Sequence, residues 1–196
     1  MDTIESFFLY KNLHSTQQVK NIKSFFETLL KEENFDTIIE LGTSFAGLTY
    51  IIDDICVENN LKKTIHTFDF SHKDYVEAYL KERNVHYHIM DETTDAFKNY
   101  IIHLINNGGK VLLLCDGGFK IEEFNFYSDY IKKEDFIMAH DYAESDLIYK
   151  NDVENKIWNW FEIQYSDICD SVKRNHLIEY GKLDFKKAAW CCYVKI

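Results

Sequence analysis

The sequence predicts a doubly wound α/β domain on a mainly parallel sheet, and three observations carry that prediction. Short apolar runs alternate with amphipathic stretches from residue 35 onward, which is the rhythm of strand, helix, strand units. Runs such as VLLLC lack the polar alternation of a half-exposed strand, as expected of a sheet covered on both faces. The seven glycines all fall at predicted junctions, and no proline interrupts any element.

The first element is a helix over 15–32, where Val19, Ile22, Phe25, Phe26, Leu29 and Leu30 recur at helical spacing behind Ser15 or Thr16 as N-cap. Strands follow at FDTIIEL (35–41), TIHTFDF (64–70), VHYHIM (85–90), KVLLLCD (110–116) and DFIMAHD (135–141), with helices near 46–60, 72–83, 94–107 and 120–133. Beyond residue 150 the rhythm changes. A helix containing Trp158, Trp160 and Phe161 leads to HLIEY, a turn at Gly181 and AAWCCYVKI, which reads as a C-terminal antiparallel hairpin. No repeat or linker divides the chain, so one domain is expected over 1–196, with 1–34 as an N-terminal helical segment and 35–196 as the α/β core.

Composition narrows the function classes. The net charge is −11, and Arg83 and Arg174 are the only arginines, so no nucleic-acid partner is expected. Lys182, Lys186, Lys187 and Lys195 near the C-terminus read as a solvated face. The five cysteines are odd in number and lack CxxC spacing, which points to free buried thiols in a reducing compartment. No run approaches the roughly 20 apolar residues of a membrane span, and MDTIESFFLY has neither a basic n-region nor a cleavage site. The expectation is a cytoplasmic protein without a membrane partner. Oligomeric state is left open, a homo-oligomer included.

In open parallel sheets ligands bind where strand C-termini meet helix N-termini. Those ends are acidic here: Glu40, Asp69, Asp91, Asp116 and Asp141 close the five strands in turn. The loop ELGTSFAGLT carries Gly42 and Gly47 at phosphate-loop spacing, but Leu48 stands where the lysine of GxxxxGK[ST] belongs, and Ser44 breaks GxGxxG. An acidic rim suits an ammonium, a sulfonium and a ribose diol better than a polyphosphate.

Glu40-x-Gly42, Gly47 and Thr49, followed by Asp69, resemble the first two motifs of class I S-adenosylmethionine-dependent methyltransferases. The resemblance covers nearly the whole chain and implies a Rossmann-like seven-stranded sheet. It implies that backbone from Gly42 through Thr43 and Ser44 to Gly47 packs against the methionine part, with Glu40 supporting the loop. It places Asp69 on the ribose hydroxyls, Asp91 near the adenine amino group and Asp116 beside the cofactor. Metal-dependent relatives often read ELGTSxGGxT; here Ala46 replaces the first glycine of the pair, so a differently shaped loop is expected.

LLLCDGGFK and FIMAHDY resemble the metal-binding segments of the divalent-metal-dependent O-methyltransferases, antibiotic-tailoring and catechol types included. Carried over, the ligands are Asp116 and Asp141 with His140 beside them, and the ion is magnesium, with manganese, iron or zinc if His140 ligates. The base is open: Phe119 stands where one branch has histidine, and Lys120 lies one residue past the lysine of the other. His140 and Lys120 are the candidates. The implied activity is methyl transfer from S-adenosylmethionine to a hydroxyl of a small-molecule acceptor. A non-catalytic cofactor-binding protein, or an enzyme using the same cofactor for other chemistry such as cleavage, are the alternatives.

Blander roles accompany each residue. Asp69 and Asp91 could cap the helices that follow, His140-Asp141 could be a satisfied turn, and the tryptophans could be core. His14-Ser15-Thr16-Gln17-Gln18 reads first as a helix cap and second as a segment folding over the cofactor.

Overall fold

A computed structural model describes residues 8–11 and 14–196. Seven strands form the main sheet: β1 (Thr37–Leu41), β2 (Thr64–Asp69), β3 (Val85–Ile89), β4 (Val111–Cys115), β5 (Phe136–Ala139), β6 (Leu177–Glu179) and β7 (Cys191–Lys195). Their spatial order is β6-β7-β5-β4-β1-β2-β3. Pairings among β1 to β5 are parallel, and β7 runs antiparallel to both β5 and β6. The expected sheet and terminal hairpin are present.

Both faces are covered, as the unbroken apolar runs require. Along β4, Leu112 and Leu114 join the core on the side of helices α1 (Ile22–Glu32) and α2 (Gly47–Glu58). Val111, Leu113 and Cys115 join the core on the side of α4 (Asp95–Asn107) and α5 (Lys120–Tyr127), the two-residue alternation of a strand. The remaining long helices are α3 (Asp74–Leu80) and α6 (Tyr165–Arg174). All five cysteines are free, and four of them are buried. Among the described residues no helix is long and apolar enough to cross a membrane.

Three expectations are corrected. The first helix begins at Ile22, with Asn21 as its cap residue, because His14–Thr16 pairs as a short strand with Phe8–Tyr10; Ser15 and Thr16 do not cap it. The fourth core helix ends at Tyr127 rather than near 133. Trp158, Trp160 and Phe161 lie outside any helix, in the stretch between a five-residue π-turn (Tyr149–Val153) and the strand pair Tyr142–Ala143 with Ile163–Gln164.

Strand order reverses between β1 and β4, the switch point where such sheets bind ligands. Gly42 sits there with φ +99°, and a Cβ on it would lie 2.3 Å from the Asp116 carbonyl oxygen. Asp116 N in turn donates to Leu41 O at 2.9 Å. Glycine at 42 is what lets the two strand ends close to contact.

Candidate functional site

Glu40, Asp69, Asp116 and Asp141 lie along one edge of the sheet, as their places at the ends of parallel strands demand. Three adjoining cavities open there, and Asp116 lines all of them.

The largest, about 340 Å³, is bordered by Leu41, Gly42, Phe68, Asp69, Phe70 and Glu92. Asp69 is saturated with donors. Its Oδ2 accepts from Ser44 N and Lys73 Nζ, both at 2.9 Å, and its Oδ1 from Ser71 N and Oγ at 2.9 and 3.0 Å. Burial works against the Asp69 charge, but these donors outweigh it and hold the carboxyl below its usual range. Lys73, on a flexible stem, occupies one of the positions that a diol hydroxyl would take. Phe70 is 75% exposed at this cavity, a ring on which a flat ligand could stack.

Asp91 is displaced from its expected role. Its exposed carboxylate accepts from Thr93 N and Oγ1 at 2.9 and 2.7 Å, a local turn ahead of α4, whose own cap is Thr94. The neighbouring Glu92 borders the cavity instead, beside the buried Glu123. Burial, reinforced by the adjacent Glu92, pushes Glu123 up to about 8.

Beneath the loop, Glu40 Oε2 accepts from Thr49 Oγ1 at 2.5 Å and Thr67 Oγ1 at 2.6 Å. Burial pushes its carboxyl up to about 8, against the pull of those hydroxyls. Thr43 Oγ1 lies 2.6 Å from Thr67 Oγ1, extending the chain of hydroxyls. The loop keeps its left-handed turn despite the alanine: Ser44 has φ 49° and Ala46 φ 61°. The backbone strain is borne, at about 1–2 kcal/mol for an alanine, while the methyl packs beside Tyr50, Val76 and Leu80. The His14–Thr16 strand lies across this loop, so a Cβ on Gly47 would come within 2.3 Å of Ser15 O. Residues 14–18 therefore cover the loop rather than cap a helix.

The third cavity, about 190 Å³, is bordered by Gln17, Lys120, His140, Asp141, Trp158 and Glu162. His140 Nδ1 lies 3.0 Å from Asp116 Oδ1 and 3.5 Å from Asp141 Oδ1. Its ring stacks on Trp190 at 4.8 Å and meets Trp158 at 5.0 Å, and its Nε2 is buried without a partner among the described residues. Burial disfavours the imidazolium, but Asp116 and Asp141 outweigh burial and raise its pKa. Asp141 has φ 56°; Trp158 Nε1 donates to its Oδ1 and Glu162 N to its backbone oxygen, which fixes that turn.

Lys120 does not have the freedom of a base. Its Nζ donates to Gly117 O, Glu162 Oε2 and Asp141 Oδ2 at 2.9, 2.7 and 2.9 Å. Burial opposes its charge, yet the Asp116 and Asp141 carboxylates outweigh burial and raise its proton affinity above that of an ordinary lysine. It is a fixed cation.

The donor atoms of Asp116, His140 and Asp141 all lie within 4.8 Å of one another. The 3.0 and 3.5 Å spacings around Nδ1 match the edges of a coordination shell with bonds of about 2.1 Å. These three residues are the candidate ligands of a divalent ion, and the one imidazole among them moves the preference from magnesium toward manganese, iron or zinc.

Glu162 and Trp190 escaped the sequence reading, and Gln18 entered it only as part of a capping segment; Trp158, read there as core or pocket lining, borders the third cavity. None stands in a local motif; Trp190 Nε1 donates to Gln18 Oε1 at 2.8 Å across nearly the whole chain.

No protein-family model and no curated protein matches the sequence. Solved structures do match in fold. One of CmcI aligns with a TM-score of 0.67 at 12% identity, covering 96% of this chain and 76% of that one. A structure of CmcI with Mg and SAM gives 0.61 at 14% identity over 95% and 76%. An O-methyltransferase family protein from Burkholderia thailandensis gives 0.60 at 12% identity, over 90% of this chain and 55% of that one. The chain thus has the fold of S-adenosylmethionine-dependent methyltransferases.

Proposed function

We propose that this chain transfers a methyl group from S-adenosylmethionine to a hydroxyl of a small molecule. The observation that carries the reading is the convergence of the 340 Å³ cavity, the loop cavity and the Lys120-His140-Asp141 cavity on Asp116. A nucleoside in the first would stack on Phe70 and give its ribose hydroxyls to Asp69 as Lys73 Nζ swings away on its flexible stem. Its amino group would face Glu92, and the amino-acid part would lie under the glycine loop. The sulfonium then stands at Asp116, between cofactor and acceptor, where carboxylates favour its charge.

In this reading the acceptor in the third cavity would attack the methyl group in line. The acceptor oxygen forms the O–CH3 bond as the C–S bond breaks, its electron pair stays on sulfur as S-adenosylhomocysteine, and the acceptor proton departs. His140 and Lys120 both have raised proton affinities. Lys120 Nζ is held by Gly117 O, Glu162 and Asp141, so His140 and the 46% exposed Glu162, both bordering the acceptor cavity, are the groups placed to take the proton. Asp116, Asp141 and His140 Nδ1 would hold a divalent ion, which when bound supplies Lewis-acid activation of the hydroxyl. Trp158 and Trp160 wall the acceptor cavity and suit a flat or sugar-like ring.

The test is turnover with phenol, catechol and sugar acceptors, with and without magnesium or manganese. S-adenosylhomocysteine in step with a methylated product is expected. Cofactor cleavage, or binding without transfer to any hydroxyl compound, would contradict the proposal.

A further inference from the structure

Away from the glycine loop, β2 and β3 carry three histidines on one face. Register sets His66 opposite His86, and His88 follows two residues along β3, hence on the same side of the sheet. His66 Nδ1 and His88 Nε2 lie 3.0 Å apart. The His66 and His86 rings stack at 4.7 Å between centroids, and those of His86 and His88 lie 6.4 Å apart. His66 is buried, His88 half-buried and His86 exposed, and β3 is the edge of the sheet, so solvent reaches the group from its open side. The methyl-transfer reading uses none of the three.

A lone histidine on a sheet face is ordinarily a satisfied core residue. Three that meet across two strands are a different arrangement. Imidazoles bound to one ion through bonds of about 2.0–2.1 Å sit roughly 2.9–3.4 Å apart for angles between square and tetrahedral. The His66–His88 nitrogen spacing already falls in that interval. The third nitrogen would come from His86, whose ring now stacks on His66 and, being exposed on the register partner of His66, would turn out of that stack to ligate. An i, i+2 pair on one strand plus a cross-strand partner puts three side chains on one face of the sheet as neighbours.

We infer that His66, His86 and His88 form a second metal site, for a borderline divalent ion of the zinc, nickel or copper(II) class, with one position left to water. Three imidazoles without a carboxylate disfavour magnesium and calcium, which separates this site chemically from the carboxylate-bearing one at Asp116. An ion here ties β3 to β2, the only neighbour of that edge strand in the sheet. Phe68, which borders the large cavity, stacks on His88 at 4.5 Å, so the tie would stiffen one cavity wall.

The experiment is calorimetric titration of the full chain with zinc chloride, comparing wild type with His86→Ala, His88→Gln and His140→Ala. A zinc-binding event is expected that His86→Ala weakens at least about tenfold, that His88→Gln abolishes and that survives His140→Ala. Magnesium should not reproduce it. His86 is exposed, so its replacement keeps the test valid should the His88 variant fold poorly. Zinc binding unchanged by His86→Ala, lost only in His140→Ala, or absent in wild type would overturn the inference, independently of whether the chain transfers methyl groups.

Discussion

Gln18 Nε2 donates to Asp116 Oδ2 at 2.9 Å across 98 residues of sequence. The same amide accepts from Trp190 Nε1 at 2.8 Å. One buried side chain thus ties the covering segment, the end of β4 and the residue that enters β7 to a single point. Gln18→Ala would leave the buried Trp190 Nε1 without a partner and free the Asp116 carboxylate to turn. A loss of about 1–3 kcal/mol is expected in urea unfolding, together with weaker cofactor binding, since Asp116 borders every cavity of the site.

Gly42 and Ala46 both have positive φ, yet opposite responses to substitution are expected. In Gly42→Ala the new methyl meets the Asp116 backbone, 2.3 Å from its oxygen and 2.6 Å from its carbon, and neither side can yield. Destabilisation of roughly 2–4 kcal/mol follows from strain plus overlap. Ala46→Gly relieves about 1–2 kcal/mol of left-handed strain but removes a buried methyl worth roughly 0.8 kcal/mol, so its unfolding midpoint should stay at or slightly above wild type.

Stability should peak at mildly acidic pH in the absence of ligand. Glu40 and Glu123 are each pushed up to about 8 by burial, above the unfolded value of about 4.3. Their contribution is therefore full below pH 4.3 and is lost as pH rises through 8. His66 is pushed down to about 4, by burial first and then by His86 and His88, so its contribution is full above about 6.5 and is lost on acidification toward 4. Glu40→Gln should flatten the alkaline limb by on the order of 2 kcal/mol, roughly 4–8 °C in melting temperature between pH 5 and 8. An unchanged slope would show that Glu40 is ionised in the folded chain.

Much of this site was legible from sequence because parallel strands impose a common direction. Once FDTIIEL, TIHTFDF and KVLLLCD read as parallel strands, Glu40, Asp69 and Asp116 had to share an edge. What was not legible depended on single residues or on distant ones. Asp91 and Glu92 are neighbours of like charge, and the turn made with Thr93 decides which faces the cavity. The apolar spacing of Val19 and Ile22 continues ahead of α1 because Val19 packs on the same core without being helical, which hid the true start. Lys120 reads as a mobile base until Glu162, 42 residues on, is seen to hold it. Gln18, Trp158 and Trp190 gain meaning only from contacts that no local pattern encodes.

The central claim is that the Asp69 cavity seats a cationic nucleoside. Calorimetric titration with S-adenosylmethionine, run on wild type and on Asp69→Ala after both are shown to melt cooperatively, tests it most directly. Saturable binding by wild type is predicted, weakened at least about tenfold by loss of the charge-assisted bonds to the ribose. Absence of binding at millimolar cofactor, or equal affinity in the two proteins, would contradict it.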